Sequence, residues 1–99
     1  MKKDQISNST KYSVTFEMPA EIQAATLTLV GDFNDWDQTS HPLKRRKDGT
    51  WARTLRLAPG VYRYRYLADG TTWYNDWAAD RYEPSPHGED NSVVELGVA

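Results

Sequence analysis

The chain has 99 residues, no cysteine and a formal net charge of −2, which fits one domain around a single core and excludes disulfides and thiolate zinc sites. Near-neutral charge gives no broad attraction to nucleic acid or to an anionic membrane, so neither is expected as a partner. Four Trp and six Tyr against two Phe leave most of the aromatic surface with a polar handle, suited to half-wet recognition faces as well as to cores.

Residues 1–10 begin with Met1, Lys2 and Lys3 and carry no apolar stretch behind them. They read as a disordered polar leader rather than a signal segment, with 11–99 as a single domain. Nothing approaches the ~20 apolar residues of a membrane span, and the absence of cysteine fits a reducing compartment, so a cytoplasmic location is expected. Tyr12–Met18 alternates apolar and polar residues and stops at Pro19, a half-buried strand. Ala25–Gly31 repeats the pattern with Leu27 and Leu29 on one face. The segment Asp32-Phe33-Asn34-Asp35-Trp36-Asp37 is dense in turn formers and reads as a loop that carries two large aromatics.

His41–Arg46 reads as a short, charge-protected edge strand, joined through the turn residues Lys47-Asp48-Gly49 to a strand over Trp51–Leu57. After Ala58-Pro59-Gly60, Val61–Ala68 is the cleanest alternation in the chain, with Tyr62, Tyr64 and Tyr66 on one face and Arg63 and Arg65 on the other. The three tyrosines are expected in the core with their hydroxyls reaching the rim. Asp69-Gly70 predicts a two-residue hairpin turn into Thr71–Tyr74, which brings Trp73 near Arg63 or Arg65. Residues 75–91, broken by Pro84, Pro86 and Gly88, predict no regular element, and Ser92–Val98 predicts a last strand. About seven short strands without a helical period predict an all-β, immunoglobulin-like (early-set) antiparallel β-sandwich.

Gly31-Asp32-Phe33-Asn34-Asp35-Trp36, Asp48-Gly49-Thr50-Trp51, Pro59-Gly60-Val61-Tyr62-Arg63-Tyr64-Arg65-Tyr66 and Asp69-Gly70 occur in that order. With these motifs the chain resembles carbohydrate-binding module family 48, the glycogen-binding domains of AMP-activated kinase beta subunits and the early-set domains of isoamylases and branching enzymes. The resemblance spans roughly Val14 to Leu96. It implies a non-catalytic module for α-glucan (glycogen, starch or maltooligosaccharide), needing no cofactor, with a sugar site at positions that match Trp36, Arg65, Trp73 and Asn91. It also implies a free-standing member, since no catalytic barrel or kinase-binding segment accompanies the domain. In the last loop His87 and Glu89 flank Gly88 where the kinase-type domains carry leucine and threonine.

The residue chemistry is compatible with that implication. A glucose ring offers a face of C–H groups and a rim of hydroxyls, so its site needs flat apolar platforms beside polar groups. Trp36 in a polar loop and Trp73 by a hairpin turn are suited to be platforms, while Arg65 and Asn91 can orient hydroxyls. Competing readings stand beside these. Trp36 folds back on the core in one of them; Trp51, in phase with Leu55 and Leu57, reads as core; Trp77 reads as a loop plug; Arg63 reads as a solvated sheet residue. A protein-interaction module associated with a glucan-metabolising enzyme is the alternative function. Catalysis would need a positioned carboxylate pair in a water-excluding pocket, and Asp32, Asp35, Asp37 and Asp76 sit in turn-like segments where acids are commonplace. His41 and His87 have no metal or nucleophile partner at diagnostic spacing.

Overall fold

The computed structural model describes residues 1–86 and 88–97. Among them nine strands form two antiparallel sheets: β1 (Lys2–Gln5), β2 (Tyr12–Met18), β3 (Leu27–Gly31), β4 (Lys44–Arg45), β5 (Trp51–Leu57), β6 (Gly60–Ala68), β7 (Thr72–Tyr74), β8 (Arg81–Pro84) and β9 (Asp90–Leu96). One sheet runs β1-β2-β5-β4; the other runs β3-β6-β9-β8, with β7 also paired to β6. This is the expected immunoglobulin-like sandwich. No described helix is long and apolar enough to cross a membrane.

The alternating strands place their apolar sets between the sheets. Val14, Phe16 and Met18 of β2 meet Leu27 and Leu29 of β3, Tyr64 and Tyr66 of β6, and Val94 and Leu96 of β9 in one core cluster. Tyr64 stands edge-on to Phe16 at 5.0 Å and to Tyr66 at 5.9 Å, the tilted geometry that aromatic quadrupoles favour. Trp51 is buried in the core as expected, with the Arg45 guanidinium 4.9 Å from its ring, a cation–π contact that covers the edge at β4.

Three differences from the sequence expectations have physical reasons. Lys2–Gln5, within the leader expected to be disordered, is an edge strand that pairs Lys3 with Val14, and Lys3 Nζ donates to Asp80 at 2.5 Å. All four of its side chains are exposed, so the strand is held by its backbone ladder and carries no apolar signature. Arg81–Pro84, inside a stretch expected to be irregular, pairs with β9 as a charged edge strand. Its Pro84 lies at the strand end, where a missing donor is tolerated. Finally, the hydroxyls of Tyr64 and Tyr66 do not reach the rim; both donate to Oδ2 of the buried Asp76, at 2.6 and 3.1 Å. Val98, expected to end the last strand, lies outside the described residues.

The branching of β6 positions the site. Its residues 64–68 pair with β3, whereas along the other edge β9 takes 60–64 and β7 takes 66–68. Arg65 therefore sits where β9 and β7 part. Asp69 and Gly70 both adopt positive φ (52° and 71°), as a tight type I′ turn requires, and Thr71 N donates to Ala68 O at 3.0 Å. The ladder resumes at Ala68 opposite Thr72, one residue later than a two-residue loop would give.

Candidate ligand-binding site

Four side chains anticipated from the sequence, Trp36, Arg65, Trp73 and Asn91, line a single open cleft of about 700 Å³ on the outer face of the β3-β6-β9-β8 sheet, together with Asp32, Arg63 and Glu89. The register explains the convergence. Trp73 lies opposite Leu67, two residues along the same face of β6 from Arg65. Continuing the β6–β9 ladder beyond Tyr64–Ser92 brings Asn91 opposite Arg65. Trp36 arrives from the other side, on the loop that follows β3.

That loop is built by its own polar residues. Asp32–Asn34 form a single 3₁₀ turn, Asn34 Oδ1 accepts from Gly31 N at 3.1 Å, and Asn34 Nδ2 donates to Leu29 O at 3.1 Å and to His41 Nδ1 at 2.9 Å. Gly31 has no room for a side chain, since a Cβ would lie 2.5 Å from Arg63 O and 2.7 Å from Tyr64 Cβ. Asp35 and Trp36 then take left-handed backbone conformations, φ 54° and 58°, which for a bulky residue such as Trp is uncommon and strained. Trp36 is half-buried and Trp73 is 37% exposed, so neither is folded into the core. Trp77, read from sequence as a plug, is 69% exposed and does not line the cleft.

The polar groups are unequally available. Arg65 is nearly buried, with Nε donating to Asp90 O and Nη1 to Glu89 Oε2, each at 3.0 Å. Nη2 is left without a partner among the described residues and is itself buried, so most of the guanidinium is turned to the protein rather than to the cleft. The Asn91 carboxamide lines the cleft and makes no side-chain hydrogen bond to another described residue. Glu89, over Arg65, is largely exposed; His87, two residues before it, lies outside the described residues. Along the flank Arg63 Nε donates to Glu83 at 2.7 Å, Glu83 also pairs with Arg81, and Arg81 reaches Glu95 at 3.0 Å. Hydrogen bonds from Arg81 and then Arg63 hold the Glu83 carboxyl below its ordinary range. Arg63 is exposed on the sheet, as read from sequence, and is also a member of this ion-pair chain. No group of three or more His, Cys, Asp or Glu among the described residues is arranged to hold a metal ion.

His41 couples this loop to pH. Its Nδ1 accepts from Asn34, which requires the neutral ring, and burial followed by the charge of Arg53 lowers its pKa from the ordinary 6.5 against the opposing pull of Asp37. A histidine depressed in the fold contributes stability that is complete above its unfolded value and lost as pH falls through its folded one. Thermal unfolding is therefore expected to fall in midpoint as pH drops below about 6.5, with His41→Gln flattening that part of the profile; an unchanged profile in the variant would contradict the assignment.

Asp32 and Asn34, read from sequence as turn formers, emerge as the residues that shape the Trp36 loop. Asp32 was visible as a carboxylate, but nothing local marked its partner on β6.

Over residues 5–84 the chain matches the family described as carbohydrate-binding module 48 (isoamylase N-terminal domain). It is 38% identical over 47 residues to a 1,4-alpha-glucan branching enzyme of Deinococcus radiodurans, which covers 48% of this chain and 7% of that enzyme. It is 30% identical over 73 residues to protein FLOURY ENDOSPERM 6, chloroplastic, of Oryza sativa subsp. japonica, and 27% identical over 73 residues to protein PTST homolog 2, chloroplastic, of Arabidopsis thaliana. Each of these two alignments covers 72% of this chain and 13% of the relative. The chain thus spans only a small part of the length of the proteins it resembles.

Proposed function

The chain belongs to carbohydrate-binding module family 48, and from that membership we propose that it is a non-catalytic module that binds α-1,4-linked glucan by stacking sugar rings on Trp36 and Trp73. One observation carries the reading: two accessible indoles from separate segments share an open cleft with Arg65 and with Asn91, whose carboxamide has no hydrogen-bond partner among the described residues. In this reading Asn91 orients hydroxyls at the ring rim, and Arg65, whose side chain is 11% exposed, adds its positive charge beneath them. Each platform desolvates on the order of 50 Å² of sugar and ring, worth about 1–1.5 kcal/mol. Two such contacts make weak binding, in the region of ~0.1–1 mM for a short oligosaccharide, strengthened on a polymer by repeated engagement. A cytoplasmic setting belongs to the same reading and accords with the absence of cysteine.

The test is co-sedimentation with insoluble starch. Retention that is released by soluble maltooligosaccharide supports the proposal, and a protein that stays in the supernatant refutes it. A second reading, a protein-interaction or regulatory module associated with a glucan-metabolising enzyme, is favoured by Trp77, a large indole 69% exposed beyond the cleft. It predicts capture of a purified glucan-metabolising enzyme that excess sugar does not displace.

A further inference from the structure

Trp36 presents a problem that its own neighbours in sequence do not solve. It sits on a left-handed backbone, half-exposed, at the rim of an open cleft, where an indole free to turn would offer no fixed platform. The restraint comes from one carboxylate. Asp32 Oδ1 accepts from Trp36 Nε1 at 2.9 Å, and Asp32 Oδ2 accepts from the backbone N–H of Arg63 at 2.8 Å, with the Arg63 guanidinium 3.7 Å away. The β3–β6 ladder ends at Gly31 opposite Tyr64; the chain then leaves the sheet in the 3₁₀ turn, and the Asp32 side chain takes the donor that the next ladder position exposes.

We propose that Asp32 is the positioning residue of the Trp36 platform, bolting the indole to strand β6 so that one ring face is held toward the cleft. The proposal rests on the reading of Trp36 as a glucan contact. It adds a point of specificity: with its N–H committed to Asp32, the indole meets a sugar through its ring face alone, and discrimination among hydroxyl patterns falls to Asn91. Both carboxylate oxygens are used, so an amide cannot replace the acid fully. Asp32→Asn keeps the shape but leaves either the indole or the Arg63 amide facing an NH₂ group.

The experiment reads the platform without ligand and then with it. In ¹H–¹⁵N spectra the Trp36 Nε1–H resonance, identified by its loss in Trp36→Phe, is expected to exchange slowly with solvent in the native protein. Exchange should be about tenfold or more faster in Asp32→Ala, with Asp32→Asn intermediate. β-Cyclodextrin affinity is expected to fall roughly three- to tenfold in Asp32→Ala, while the Trp73 resonance keeps its native shift. A merely structural role would lower the unfolding midpoint and leave the indole exchange of the folded protein as it was; that result, in either variant, overturns the proposal. Faster indole exchange in a protein whose native form shows no cyclodextrin response would uphold Asp32 as the anchor and remove the glucan reading instead.

Discussion

Trp36→Ala and Trp73→Ala are each expected to weaken α-glucan binding by about five- to tenfold, and to do so without unfolding the protein. The size follows from removal of a ring-face contact worth about 1–1.5 kcal/mol, where each 1.4 kcal/mol is a factor of ten in affinity. Because the starting affinity of a two-platform site is weak, either loss carries binding of a short oligosaccharide beyond the reach of ordinary titration. Stability should barely move, for neither indole belongs to the buried cluster. Trp36 adds a sharper version. Its φ of 58° suits glycine better than any bulky residue, so Trp36→Gly should lose glucan and keep, or slightly raise, its melting temperature. Measured by calorimetry alongside the sugar titration, a coupled loss of folding and binding would mean that Trp36 packs the fold rather than serving the cleft.

The largest effect on stability is expected at Asp76. Its side chain is 1% exposed, and it accepts the Tyr64 and Tyr66 hydroxyls on Oδ2 and the Ala78 amide on Oδ1 at 3.0 Å. Its own amide donates to Ser92 Oγ at 2.8 Å, and Ser92 donates to Asn75 Oδ1 at 2.9 Å. Burial, then the Asp76 charge, raises both phenols well above their ordinary range, so the two tyrosines remain neutral donors that need an acceptor. Asp76→Ala leaves two hydroxyls unpaired inside the core, at about 1–3 kcal/mol each, and frees the loop that follows β7. A loss of about 3 kcal/mol or more is expected, a large part of the roughly 5–15 kcal/mol that holds a domain of this size together. In a melting experiment this corresponds to a drop on the order of 15 °C. Denaturant unfolding should show a lower midpoint at unchanged slope, with Asp76→Asn less affected because it retains one acceptor. A midpoint within about 0.5 kcal/mol of the native one would show that the network is dispensable.

Those two predictions draw on very different parts of what was legible in the chain. The alternation of Val61–Ala68 and the turn pair Asp69-Gly70 specified β6, its buried tyrosine face and the hairpin that carries Trp73, because period-two patterning and positive-φ turn chemistry are local signals. The four anticipated cleft residues came from the family resemblance, and the register of β7 and β9 against β6 accounts for their meeting. The edge strands β1 and β8 were not legible, since a strand held by backbone pairing and by ion pairs to distant residues needs no apolar residues. Asp76 was unreadable for a related reason: Asn75-Asp76 looks like any turn, and only the fold brings Tyr64, Tyr66 and Ser92 around it. The commitment of Arg65 to Glu89 and Asp90 likewise depends on where a distant loop lands.

The central claim is that the cleft of Trp36 and Trp73 holds α-glucan, and titration of the purified chain with β-cyclodextrin, followed by NMR shifts of the indole N–H groups, tests it most directly. The account predicts saturable shifts centred on Trp36 and Trp73, absent in Trp36→Ala and Trp73→Ala, with Trp51 unmoved in the core. Spectra that stay unchanged into the millimolar range, or shifts that survive both substitutions, would contradict it.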